Sequence, residues 1–148
     1  MKRRRGYTLV EMVTVAGIGL VAASLMGSLY LTINRAIETE LARGEMVAGA
    51  REVSHYLKSD VRRADAVAVS GGELTLVAQG ETITYSNSGG GIRRRAKTGE
   101  RLLGGEGFKA AFFPLGGDGL EVTITGERNV RGRAIALHRE IAVARRKL

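Results

Sequence analysis

Lys2-Arg3-Arg4-Arg5-Gly6-Tyr7-Thr8-Leu9-Val10-Glu11 runs into 23 residues without a charge, Met12 to Asn34. At about 1.5 Å of helical rise per residue this uncharged stretch reaches roughly 35 Å, enough to cross a hydrocarbon core of about 30 Å. The expectation is a membrane-spanning helix that decides the plan of the whole chain. Four cations precede the span, while only Arg35 and Arg43 follow it closely. The positive-inside rule therefore keeps the N-terminus in the cytoplasm and sends the remainder out.

Glu11 is the one charge inside the apolar run. A carboxylate at the centre of a membrane helix costs about 2.5 to 3.5 kcal/mol, so it is read as a functional group in need of a positive partner. Cleavage after Gly6 would give Tyr7 a new α-amino group one helical turn from Glu11, beside the positive end of the helix dipole.

A basic leader, Gly6, aromatic Tyr7, then Thr8-Leu9-Val10-Glu11 and a long apolar helix together resemble the type IV prepilin signal, over about the first quarter of the chain. The resemblance implies a leader of residues 1–6 (Lys2, Arg3, Arg4 and Arg5), a transmembrane and assembly helix over 7–34, and an extracytoplasmic pilin-like domain over 35–148. It also implies cleavage between Gly6 and Tyr7 by a membrane prepilin peptidase, N-methylation of Tyr7, and neutralisation of a neighbouring subunit's N-terminal amine by Glu11. The implied partners are other pilin or pseudopilin subunits, the peptidase, membrane lipid and an inner-membrane assembly platform driven by an ATPase. Two plainer readings use the same residues. A secretory signal peptide would be cut after Val21-Ala22-Ala23, but an ordinary signal core is about 7 to 15 residues and does not include a glutamate. A simple single-pass anchor leaves Glu11 without a purpose.

The chain has 23 Lys and Arg against 15 Asp and Glu, a formal charge of +8. Without the leader's four cations the balance is +4, so the mature chain is only modestly basic. The absence of cysteine excludes a disulfide framework, a thiol nucleophile and any cysteine-ligated metal. Many major pilins close their C-terminal region with a disulfide, and this chain departs from them there. Residues 35–148 amount to 114 residues, ample for one domain with its own core.

Beyond the span, Ile37, Leu41, Val47, Ala50, Val53, Leu57, Val61 and Ala64 recur at three- to four-residue spacing, so the helix is expected to continue with that face packed. Gly44 and Gly49 weaken it, and Gly17, Gly19 and Gly27 mark points of local melting or close helix contact. The single proline is Pro114, whereas many major pilins carry one in the membrane half. Leu57-Lys58-Ser59-Asp60-Val61-Arg62-Arg63-Ala64 resembles a stretch late in the first helix of larger minor pilins and J-type pseudopilins. The residues themselves read as core positions flanking a solvated pair of Asp60 with Arg62 or Arg63.

After Ala66 the period becomes alternating. Strands are expected over 73–77, 81–85, 108–113, 120–125 and 134–143, with turns at Gly71-Gly72, Gln79-Gly80, 116–119 and 129–132. The expected fold class is α+β: one long N-terminal helix packed on an antiparallel sheet, which the pilin resemblance also implies. Residues 86–99 are rich in glycine and charge and are expected to form an exposed loop. Ala96 stands where a phosphate-binding loop needs glycine, so nucleotide binding is rejected. Arg93, Arg94, Arg95 and Lys97, with Arg101 nearby, form a candidate contact for DNA, anionic lipid or an acidic partner. No aromatic residue interleaves them for base stacking, and solvated loop charge is the plainer reading.

No catalytic residue is expected. His55 and His138 are the only histidines, and adjacent Ser54 and His55 on a helix project about 100° apart, too far for a triad with Asp60. Asp118 and Glu121 supply too few oxygens for calcium, and no metal or cofactor is expected. The functional expectation is a structural subunit of a type IV pilus or type II secretion filament, with a DNA-uptake pseudopilin or an anchored binding domain as alternatives.

Overall fold

A computed structural model describes residues 8–115 and 119–145. The leader, Gly6 and Tyr7 lie outside the described residues, as do Gly116, Gly117 and Asp118 of one expected turn. The architecture is α+β: a 55-residue helix, α1 (Leu9–Arg63), and two antiparallel sheets. The chain divides into two compact units between Glu38 and Thr39.

In the first unit α1 starts at a reciprocal capping box. Thr8 Oγ1 accepts from the Glu11 backbone N–H at 3.3 Å, while a Glu11 carboxylate oxygen accepts from the Thr8 backbone N–H at 2.8 Å. Leu9, Val13, Leu20 and Leu29 stand exposed, and the segment is long and apolar enough to cross a membrane. Its hydroxyls are compatible with lipid, because those of Thr14, Ser24, Ser28 and Thr32 each donate to a carbonyl one turn back.

In the second unit the helix turns Ala42, Met46, Ala50, Val53, Leu57 and Val61 into the core. Ile37 and Leu41, expected on that packed face, are instead 51% and 63% exposed, and Ala42 and Met46 occupy the buried positions. Gly49 has a packing reason: a Cβ there would come 2.6 Å from the Gly104 carbonyl oxygen.

The first sheet is a meander of β1 (Ala66–Ser70), β2 (Glu73–Ala78), β3 (Glu81–Ser88), β4 (Gly91–Ala96) and β5 (Gly99–Leu103). The second is β6 (Phe108–Leu115), β7 (Gly119–Val130) and β8 (Arg133–Ala144). Two-residue loops close the hairpins at Gly71-Gly72, Gln79-Gly80 and Arg131-Gly132, all with positive φ at both positions. This backbone matches the right-handed strand twist. Leu74, Leu76, Ile83, Tyr85, Ile92 and Leu103 from the first sheet meet Phe108, Phe112, Leu120, Val122 and Ile124 from the second in one core against the helix. Asn87 of β3 joins the sheets, donating to the Ala110 carbonyl at 2.9 Å and accepting from the Ala110 N–H at 2.8 Å.

Three features differ from the sequence expectation. The sheet is two sheets; β1 and β5 are additional strands; and residues 86–99 are two hairpin turns and strands, not a loop. Gly89-Gly90 and Lys97-Thr98 are the two-residue loops on either side of β4.

Candidate functional site

The expected assembly residue, Glu11, lies in the first turn of α1, with its carboxylate bonded to both the backbone N–H and the hydroxyl of Thr8, at 2.8 and 3.0 Å. Its charge faces the free amides of the helix N-terminus, where an anion is favoured.

The arginine cluster does not act as one patch, because successive residues of a strand face opposite sides. Arg94 turns inward to the helix, while Arg93 and Arg95 turn outward and share Glu100, each with a nitrogen 3.0 Å from a Glu100 oxygen. Lys97 sits in the following turn, its backbone N–H donating to Glu81 at 2.7 Å. Its side chain is left exposed.

Arg94 belongs to a buried cluster that sequence reasoning missed. Asp60 is 3% exposed, not part of a solvated pair. One of its oxygens accepts from Tyr85 Oη at 2.6 Å and from Arg94 Nε at 2.7 Å, and Arg63 approaches within 3.8 Å of the other. Arg94 lies 5.6 Å from the Tyr56 ring centroid, and Arg101 stacks on the same ring and bonds its hydroxyl. Burial, followed by the hydrogen bond to Asp60, pushes the Tyr85 hydroxyl far above its ordinary range. The same carboxylate, through its hydrogen bond, holds the Arg94 guanidinium charged. The cluster is a lock between α1, β3 and β4: a carboxylate that cannot leave, a guanidinium that cannot deprotonate, and a phenol that stays neutral. One signal pointed to it. Asp60 falls three residues after Leu57 and one before Val61, on the edge of the buried face, where a carboxylate needs a partner.

The remaining polar candidates are separate. Ser54 is buried and donates to the Ala50 carbonyl at 2.5 Å, His55 lies exposed on the helix, and His138 lies exposed beside Glu140 at 3.1 Å. A cleft of about 560 Å³ is bordered by Glu45, Glu106, Phe108, Glu127 and Arg128. Arg128 is bonded to Glu45.

A long apolar N-terminal helix whose later turns pack on antiparallel sheets is compatible with a pilin-like fold. No family model, curated protein or solved structure matches this chain.

Proposed function

We propose that the chain is a pilin-like assembly subunit, processed between Gly6 and Tyr7, methylated on Tyr7, and built into a filament rooted in the inner membrane. The observation that carries the reading is the ordered junction of basic leader, Gly6-Tyr7, Glu11 and apolar helix. The fold supports it, because the helix that begins at this junction continues into a domain whose own core is complete. The protein works by packing: the apolar helix supplies the filament core, Glu11 sets register against a neighbour's amine, and the sheets present the outer contact surface. Pilus, secretion and uptake filaments share this signal, and the system is assigned by the assay that loses function on deletion.

The deciding experiment is the intact mass and N-terminal sequence after co-expression with a prepilin peptidase. A chain starting at N-methylated Tyr7 is the expected result. A start at Ser24 makes it a secreted domain, and an uncut Met1 chain leaves an ordinary anchor. Glu11→Ala is expected to be cut normally but to fail in assembly, and normal incorporation of that variant into filaments removes the register role.

A further inference from the structure

Among the described residues the two sheets end in four edge strands, β1, β5, β6 and β8, and these are protected unequally. β1 and β5 are five residues long each, and edges that short offer little to pair with. The β6 edge is clasped by Asn87, which bonds both the N–H and the carbonyl of Ala110. β8 is different. It runs for 12 residues, pairs with β7 in unbroken register from Arg133 to Ala144, and has no second strand beside it among the described residues. It carries no bulge, proline or lysine, the usual means of blunting an edge.

The turn fixes which backbone groups lie on that edge. Arg131 and Gly132, both with positive φ, form a type I′ turn in which Val130 and Arg133 are hydrogen-bonded partners. Pairing alternates from there: odd-numbered residues of β8 bond β7, while even-numbered residues from Ala134 to Ala144 turn their N–H and carbonyl groups to the open edge. Side chains alternate as well. The odd-numbered set faces the core, with Ile141 and Val143 buried and Ile135 and Leu137 half-buried against it. Such an edge is a template for a second copy. The sequence from Ala134 to Ala144 is close to a palindrome about Arg139, since Ile135 matches Val143, Ala136 matches Ala142 and Leu137 matches Ile141. Two antiparallel copies centred on Arg139 would set apolar residues against apolar ones and each His138 opposite a Glu140.

Arg139 is the exception at the middle of the inner face. It stands between Leu137 and Ile141, in register with Ile124, which has no exposed surface. No carboxylate among the described residues pairs with it. An unpaired guanidinium on an apolar face keeps its water by reaching past the strand, and with β7 on one side of β8 the way out is over the open edge. A strand added there would close that exit and bury the cation, together with the second copy's Arg139 directly opposite. We propose that Arg139 is a guard that keeps the β8 edges of two copies from pairing, and that removing its charge turns this edge into a contact between copies of the chain. The inference holds whether or not the chain is a filament subunit.

The test uses the full chain in detergent micelles, with sedimentation equilibrium reading self-association and hydrogen exchange reading the β8 amides. Association through the apolar helix is common to all variants, so each is compared with the wild-type baseline. Arg139→Lys keeps the cation and should stay at that baseline. Arg139→Val should raise the association constant at least about tenfold. It should also protect the amides of Ala136, His138, Glu140 and Ala142, which exchange freely in wild type. Adding Ala136→Pro removes an outward N–H without touching the β7 ladder and should return Arg139→Val to the baseline. Arg139→Val at the baseline overturns the proposal, as does association that Ala136→Pro leaves intact. Protection of those even-numbered amides in wild type overturns it as well, because the edge would already be paired. Should Arg139→Val fail to fold, Arg139→Thr is read by the same two measurements.

Discussion

Replacing Asp60 with alanine removes the carboxylate that ties α1 to β3 and β4. Two groups are stranded: the Tyr85 hydroxyl, in a residue with no exposed surface, and the Arg94 guanidinium, in a side chain 17% exposed. Removing one partner of a buried pair costs about 3 to 5 kcal/mol, and the residual water access of Arg94 places this site near 3. The unpaired hydroxyl adds about 1 kcal/mol. A total near 4 kcal/mol is a large part of the roughly 5 to 15 kcal/mol that holds a domain folded. At about 4 °C per kcal/mol for a domain of this size, the melting temperature should drop by roughly 15 °C. The assay is thermal and urea unfolding of the fragment 39–148, which contains the whole core, followed by tyrosine circular dichroism. The triple variant D60L/Y85F/R94M tests the reasoning further, since it removes the charges and the phenolic hydroxyl together. It should lie within about 2 kcal/mol of wild type, because an apolar cluster of similar volume needs no pairing. A cost below about 1 kcal/mol for Asp60→Ala, or a triple variant less stable than the single one, would refute the account.

Tyr85 predicts a pH dependence. In the unfolded chain a tyrosine ionises near pH 10, whereas burial and then Asp60 keep folded Tyr85 neutral well above that. The unfolded state therefore binds fewer protons in alkali, so the stability from the neutral phenol is complete below about pH 10 and is lost as pH rises further. Melting temperatures taken from about pH 9 to 11 should fall more steeply for wild type than for Tyr85→Phe, and parallel curves would count against the buried phenol. Gly107→Ala should cost at least about 2 kcal/mol in the same unfolding assay, since φ is +83° there and a Cβ would sit 2.1 Å from the Glu127 carbonyl oxygen. A variant as stable as wild type would show that the turn opens without loss.

The legible elements were those with a strong period. Alternation in 73–77 and 120–125 marked β2 and β7, and the three- to four-residue repeat from Ala50 to Val61 marked the packed face of α1. β4 was missed because Ile92 and Ala96 are its only buried apolar side chains, while three arginines occupy the positions between them. Gly89-Gly90 was the available clue, a two-residue loop that favours a hairpin once strands flank it. β1 was missed because its small alternating residues carry little hydrophobic contrast, although Val67 and Val69 lean on the core.

The sequence by itself determined the long helix, the span able to cross a membrane, and the hairpin turns at Gly71-Gly72 and Gln79-Gly80. These depend on the order and period of neighbouring residues, and local physics reads them in the same order. Only the tertiary structure decided the division into two sheets, the burial of Asp60 with Tyr85 and Arg94, and the separation of Arg94 from Arg93 and Arg95. Asp60 lies 25 residues from Tyr85 and 34 from Arg94, so each contact exists only after the strands pair and the helix is laid across them.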